Sequence, residues 1–231
     1  MKFEKKLLQG TLIKRYKRFF VDIKHQNRTI IAHCPNSGSM LGLLKAGNKV
    51  WFSESNNPKR KLKYTLQIIE VDKKLVGINT HLTNKIILES LKEKKIQSLS
   101  KFTEIKPETK FSNNTRFDFL ISNVKEKCFL EVKNVTLVRE KNIAEFPDAI
   151  TSRGTKHLME LIEAKKKGYQ SYLLFLIQRE DCKVLKIAKD IDVNYTNAFD
   201  LALKNGVKIL CYDCKMSDEE IIINNQIYYE K

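Results

Sequence analysis

The chain of 231 residues has only four prolines and eight glycines, which excludes a collagen-like or Gly/Pro-rich disordered polymer. Its five cysteines (Cys34, Cys128, Cys182, Cys211 and Cys214) are odd in number and scattered, so no disulfide framework is expected. Cys211-Tyr-Asp-Cys214 is a lone CxxC. Without a second pair it cannot complete a tetrahedral zinc site, and it reads as a chance spacing at a strand end rather than a redox pair. No apolar run approaches the roughly 18 residues of a membrane span, the longest being the strand-sized Tyr172 to Ile177. Met1-Lys2-Phe3-Glu4-Lys5-Lys6 lacks the apolar stretch of a signal peptide, so a cytoplasmic protein without a membrane partner is expected. Acid is the largest deficit: 27 Asp+Glu face 43 Lys+Arg, a formal net charge of +16. That balance favours a polyanionic partner, because Lys and Arg neutralise phosphates and release their condensed counterions.

The charge is not evenly spread. Residues 1–85 hold 18 Lys+Arg against 5 Asp+Glu, a net of +13, while residues 86–231 are nearly balanced. A uniform lysine bias would not produce this split. It implies two parts, with the N-terminal one meeting the polyanion.

The first part breaks into short β-like runs, Gly10 to Ile23, Arg28 to Cys34, Lys49 to Ser53, Leu62 to Val71 and Leu75 to Asn79, separated by polar turns. Such spacing suggests a small closed or nearly closed barrel over residues 1–83. Asn84 is placed to cap a helix carrying Ile87, Leu88 and Leu91, and residues 84–114 are expected to be a junction of helix and linker. From Arg116 the pattern changes. Two strands, Arg116 to Ile121 and Cys128 to Val138, precede helices at Ser152 to Lys167 and Ala198 to Asn205. Further strands fall at Ser171 to Gln178, Val207 to Tyr212 and Ile221 to Tyr229. The expected fold is therefore a mixed α+β chain, with a β-barrel followed by an α/β domain on a mixed sheet at 84–231.

The hairpin Arg116-Phe-Asp118-Phe-Leu120 and Phe129-Leu-Glu131-Val-Lys133 carries the candidate chemistry. Alternation puts Asp118 opposite in facing to Phe117 and Phe119, and Glu131 and Lys133 opposite to Leu130 and Val132. With the turn centred on Val124-Lys125, Asp118 falls directly across from Glu131, with Cβ atoms about 5 Å apart. Two facing carboxylates repel unless something binds between them, and a hard divalent cation such as Mg²⁺ or Mn²⁺ suits them. Lys133 beside that cation can position a nucleophile or stabilise charge on phosphate oxygens. The competing view is a solvated strand face with weak ion pairs. Pro147-Asp148 follows this strand, so Asp148 cannot serve as the hairpin's first carboxylate.

These residues lie in a sequence that resembles the sugar fermentation stimulation protein A (SfsA) family nearly end to end. The segments that carry the resemblance are Lys14-Arg-Tyr-Lys-Arg-Phe19, His33-Cys-Pro-Asn-Ser-Gly-Ser-Met40, Asn57-Pro-Lys-Arg-Lys-Leu-Lys-Tyr64, Thr115-Arg-Phe-Asp118, Glu131-Val-Lys-Asn-Val-Thr-Leu137, Phe146-Pro-Asp-Ala149 and Arg153-Gly-Thr-Lys-His-Leu158. The resemblance implies an N-terminal OB-like barrel and a C-terminal domain similar to PD-(D/E)xK nucleases. It also implies DNA binding without marked sequence preference and a role in regulating sugar (maltose) metabolism genes. Asp118, Glu131 and Lys133 match the nuclease-like motif, with Phe117-Asp118 in place of the usual Pro-Asp. Glu108 resembles an upstream acidic position, for which Glu104 is a rival. Two functions follow from the resemblance, a DNA-binding module and, alternatively, an active DNA or RNA phosphodiesterase.

Lys14, Arg15, Lys17 and Arg18 surround Tyr16, and Lys59, Arg60, Lys61 and Lys63 precede Tyr64. Basic groups interleaved with aromatics suit a strand face that tracks phosphates while rings stack on bases. Arg116, at the head of the hairpin, is placed with these contacts. The aromatics are as readily barrel core. The amides of Ser37, Gly38 and Ser39 either hold a phosphate or close a turn. His33 and His157 read as structural, with a phosphate contact at His157 as the other option. Stacking surfaces do not choose between DNA and RNA.

Overall fold

The computed structural model describes residues 1–113 and 115–230. Asn114 and Lys231, the expected ends of the junction and of the second domain, lie outside the described residues. Six strands build the N-terminal part: β1 (Leu8–Tyr16), β2 (Phe20–His25), β3 (Arg28–His33), β4 (Lys49–Glu54), β5 (Tyr64–Val71) and β6 (Lys74–Gly77). Their order is β3-β2-β1-β4-β5-β6, and a β3–β5 pairing closes the first five into an OB barrel. The single run expected over Gly10 to Ile23 is split, because Lys17 and Arg18 take positive φ (45° and 64°) and fold it into a hairpin. Inside the barrel pack Leu12, Val21, Phe52, Leu66 and Ile69.

Next come α1 (Thr83–Lys92), β7 (Glu104–Ser112), β8 (Thr115–Ser122), β9 (Lys127–Val135), β10 (Leu137–Glu140) and β11 (Ile143–Phe146). The chain continues through α2 (Ser152–Lys166), β12 (Gln170–Ile177), β13 (Val184–Ile187), α3 (Val193–Lys204), β14 (Lys208–Met216), β15 (Ile221–Gln226) and β16 (Tyr228–Tyr229). The main sheet has the order β15-β14-β12-β9-β8-β7, with β9, β12 and β14 parallel and the outer strands antiparallel. A small sheet, β10-β11-β13-β16, lies beside it. The expected linker is thus largely a strand: β7 is an exposed, charged edge that contains Pro107, a sequence that carries no alternation to reveal it.

The main sheet is covered on both faces. One layer joins Phe119, Ile121, Leu130, Leu174 and Tyr212 to α1; the other joins Phe117, Phe129, Leu173 and Phe175 to α2 and α3. Burial on both sides explains why β12 reads as a nearly continuous apolar run. It also separates Cys211 from Cys214, which belong to opposite layers of β14, so the CxxC forms no pair. Among the described residues no helix is long and apolar enough to cross a membrane.

The two parts are keyed together. The first residues run along the β14–β15 turn, with Phe3 N–H on Glu219 O and Leu7 N–H on Asp218 O, both at 2.8 Å. Leu7 and Ile68 of the barrel region share the core layer under α1. Gly77 donates its N–H to Gln178 O at 2.9 Å. A Cβ at Gly77 would overlap Gln178 Oε1, and Gln178 is fully buried and held by Thr83 and Asn134. Gly77→Ala is therefore expected to lower stability by about 1–3 kcal/mol, as overpacking does. Urea denaturation measures it, and an unchanged midpoint would mean that this seam is loose.

Candidate functional site: a buried acidic–basic cluster at the centre of the mixed sheet

The β8–β9 hairpin turns on Asn123, whose Oδ1 accepts the N–H groups of Lys125 and Glu126, both at 2.9 Å. The ladder pairs Ser122–Lys127, Ile121–Cys128, Leu120–Phe129 and Phe119–Leu130, a register centred between Val124 and Lys125. Continued by one step it sets Asp118 across from Glu131, as the sequence spacing predicts. The ladder itself stops short of that step. Instead, Val132 N–H donates to the Asp118 side chain, at 2.7 Å to Oδ2.

Strict alternation fails at the same point. Phe117 lies in the α2/α3 layer, 5.1 Å from the Phe129 ring centroid, whereas Phe119 lies in the α1 layer. The two phenylalanines were expected on one face, and the break at Asp118 is what separates them. The expected solvated alternative is also excluded: Glu131 is only 3% exposed, and the Lys133 side chain is mostly covered.

Glu131 is held from one side only. Its Oε1 receives Lys133 Nζ at 2.7 Å and contacts His157 Nδ1, whereas its Oε2 is buried with no hydrogen-bond partner among the described residues. Burial works against ionisation of Glu131, but the His157 hydrogen bond and the Lys133 ammonium outweigh it and hold the carboxyl below its usual range. Asp118 moves the other way. Burial, then the charge on Glu131, pushes its carboxyl up to about 6, against the Val132 amide, Asn84 and Lys133.

Several residues enter the site that sequence spacing did not assign. Asn84 does not cap α1, whose N-cap is Leu82; its Nδ2 donates to Asp118 Oδ1 at 2.7 Å. Gln178 Nε2 donates to Asn134 Oδ1 at 2.5 Å and to Thr83 Oγ1 at 3.2 Å, which ties the residue after Lys133 to the start of α1. His157 is buried against Glu131 rather than turned to solvent. Its i+3 and i+4 spacing from Gly154 and Arg153 placed it on α2 but did not reveal which way it pointed.

Among the described residues, no three His, Cys, Asp or Glu are gathered closely enough to hold a metal. Glu108 falls beside Asp118 in register, between the Pro107–Phe119 and Thr109–Phe117 pairs, but it is exposed on β7 with φ 50° and joins no such cluster. Its rival Glu104 accepts the Ser122 hydroxyl at 2.9 Å, at the other end of β7. Two carboxylates, one of them with an orphaned oxygen, still fit a hard cation, since magnesium commonly takes one or two carboxylates and completes its shell with water or phosphate.

The basic residues expected to meet nucleic acid divide into those engaged within the protein and those simply exposed. Arg15 organises a loop, donating to the carbonyls of Arg18 and Asn36 at 2.7 Å and of Gly38 at 3.1 Å. Lys14 sits 3.8 Å from Asp22 and 5.5 Å over the Tyr16 ring, and Tyr16 stacks on Phe20. Lys63 pairs with Glu54 at 2.5 Å, and Arg60 donates to Thr65 Oγ1 at 2.9 Å. Lys17, Arg18, Lys59, Lys61 and Arg116 are exposed. A groove of about 520 Å³ runs along Tyr16, Lys17, Arg18 and the Ser37–Ser39 loop. Two of the three loop amides considered for phosphate are occupied: Gly38 N–H donates to Asn36 Oδ1 at 2.8 Å and Ser39 N–H to Asp148 Oδ2 at 3.1 Å. The loop closes a turn and clasps the second domain.

These features define a two-domain protein in which an OB barrel is docked on a mixed α/β domain with a buried acidic–basic cluster. Both parts match family models: residues 13–78 the SfsA N-terminal OB domain, and residues 81–220 the sugar fermentation stimulation protein RE domain. The chain belongs to the sugar fermentation stimulation protein family. A homolog from Pelagibacter ubique is 55% identical over 98% of both chains, and one from Bartonella henselae is 42% identical over 100% of this chain and 99% of its own. Among solved structures, Pyrococcus furiosus SfsA in complex with Ca²⁺ superposes with a TM-score of 0.89 at 25% identity, over 100% of this chain and 98% of the other.

Proposed function

We propose that the protein binds DNA with little sequence preference and carries a divalent-cation site at Asp118 and Glu131, with a role in regulating sugar metabolism genes. The observation that carries the metal site is Glu131 Oε2, a buried carboxylate oxygen with no partner among the described residues, which the register continued one step past the ladder sets across from Asp118. A buried charged oxygen without a partner is costly, and a cation relieves it. The Ca²⁺ bound by the Pyrococcus furiosus relative supports a divalent ion here, and the oxygen donors suit Mg²⁺ or Mn²⁺ equally. The exposed cations at Lys17, Arg18, Lys59, Lys61 and Arg116 supply the polyanion contact.

The same geometry favours a second reading, metal-dependent phosphodiester hydrolysis. A bound divalent cation supplies Lewis-acid polarisation of a phosphodiester and acidifies water. Asp118 and Glu131 would hold that cation through their oxygens, Asn84 and Val132 N–H fix the Asp118 carboxylate, and Lys133 places a positive charge beside the site. An ammonium there stabilises negative charge developing on phosphate oxygens.

Incubation with supercoiled, linear and single-stranded DNA and with RNA, each with Mg²⁺ or Mn²⁺, separates the readings. Nicking that disappears in Glu131→Gln establishes hydrolysis; no cleavage of any substrate leaves the binding protein. Binding itself is tested by anisotropy across a salt series. Replacing Lys17, Arg18 and Lys61 by Ala is expected to flatten the log K against log salt slope by about 0.9 for each phosphate contact removed. An unchanged slope would remove these residues from the DNA surface.

A further inference from the structure

Helix α2 starts from a fixed point. Thr151 caps it, its Oγ1 accepting Gly154 N–H at 3.0 Å, and Thr151 N–H donates in turn to Asp192, the N-cap of α3, at 2.8 Å. A Cβ on Gly154 would come within 2.8 Å of Thr151 Oγ1 and 3.1 Å of the Tyr195 ring, so glycine allows the helix start to lie against α3. The residue three positions on, His157, then reaches β9 and touches Glu131 through Nδ1. Its ring is held edge-on by Phe117, with centroids 6.4 Å apart.

Nδ1 has the Lys133 ammonium 3.5 Å away but contacts Glu131 Oε1 more closely, so the carboxylate is its partner and the group at Nε2 decides the tautomer. Arg153, exposed one turn earlier on α2, donates Nε–H to His157 Nε2 at 3.4 Å. A guanidinium has no acceptor, so Nε2 is the lone-pair nitrogen and the ring proton of a neutral imidazole sits on Nδ1. Nδ1–H in turn faces Glu131 Oε1, an acceptor. Arg153, His157 and Glu131 therefore form one directed chain of hydrogen bonds from the surface to the buried carboxylate. Residues behind a metal ligand commonly orient it in this way.

We propose that His157, oriented by Arg153, is a positioning residue of the site: it holds Glu131 Oε1 through Nδ1–H and so leaves Oε2 as the oxygen offered to a divalent cation. This inference rests on the metal-site reading above. It assigns His157 no contact with substrate and no proton transfer.

Substitutions that keep or remove the Nδ1 donor test it. Asn reproduces a donor near the Nδ1 position, whereas Leu fills the space without one. Binding of Mn²⁺ alone, read by calorimetry, is expected to weaken about 10–100-fold in His157→Leu and to stay within about threefold of the unsubstituted protein in His157→Asn. Imidazole ¹⁵N NMR of the unsubstituted protein in EDTA is expected to show the Nδ1–H tautomer, and Arg153→Ala to reduce its population. Urea midpoints in EDTA confirm that each variant is folded. Equal Mn²⁺ affinity in His157→Leu, an Asn variant as weak as the Leu variant, or an Nε2–H tautomer would each overturn the positioning role. Absence of Mn²⁺ binding by the unsubstituted protein would instead sink the metal reading itself.

Discussion

Glu131→Ala is expected to lose about 3–5 kcal/mol of folding stability in EDTA, the magnitude typical of removing one partner from a buried ion pair. Three causes act together. The Lys133 ammonium, largely covered, loses its nearest counter-charge at 2.7 Å. His157 Nδ1 loses its acceptor in a buried setting. A cavity also opens between β9 and α2. Glu131→Gln separates charge from shape, because its amide oxygen still accepts from Lys133 and His157. It is expected to fold with a much smaller loss and to bind no divalent ion. The Glu131 contribution also depends on pH. Its carboxyl lies below its unfolded value, so the stability is present above the usual glutamate range and is lost as pH falls through the lowered folded value. Urea titrations at neutral and acid pH measure both effects; a loss below about 1 kcal/mol in Glu131→Ala would describe a solvated pair instead.

Asp118→Asn is expected to do the opposite and stabilise the metal-free protein. With its carboxyl pushed from 3.8 to about 6, ionised Asp118 is disfavoured in the folded state. At about 1.36 kcal/mol per pKa unit, that corresponds to at most about 3 kcal/mol at pH 7. The sign follows from linkage. The folded protein holds the proton more tightly, so wild-type stability falls as pH rises from about 4 to 6 and then levels off. The advantage of Asn is therefore full above pH 6 and vanishes near pH 4. The substitution is sterically mild: the new amide oxygen accepts Val132 N–H, and Asn84 turns its own amide to receive the new N–H₂. Cation binding disappears in the same variant, so stability gained without metal accompanies function lost. Denaturation across pH in EDTA, beside Mn²⁺ calorimetry, tests the pair; a variant that is less stable at pH 7 would contradict the assigned cause.

The legible part of this site was its register. A polar turn centred on Val124-Lys125 fixes which residues face each other, and the structure keeps that geometry through Phe119–Leu130. The barrel was legible as well, since short β-rich runs separated by polar turns have few other solutions. What alternation could not give was the second layer. Glu131 and Lys133 read as a polar face because period two separates them from Leu130 and Val132, yet α2 covers that face and converts it into a buried one. Asn84 looked like a cap because the local pattern holds no sign of Asp118, 34 positions away. Arg15 looked like a phosphate contact for the same reason, while its guanidinium is taken by loop carbonyls from Asn36 to Ser39. The helix side of His157 and the clasp at Asp148 are long-range facts of this kind. The edge strand β7 escaped because its solvent-exposed charges and Pro107 erase periodicity.

The strip at the beginning of the chain has a consequence for the order of events during synthesis. Strands β1 to β6 pair mostly with near neighbours in sequence, so they can close soon after they emerge. Phe3 and Leu7 have their hydrogen-bond acceptors at Glu219 and Asp218, and Leu7 finds its core layer in the second domain. These residues precede the barrel strands in the chain, so they must wait, unpaired beside a finished barrel, until the β14–β15 turn is made.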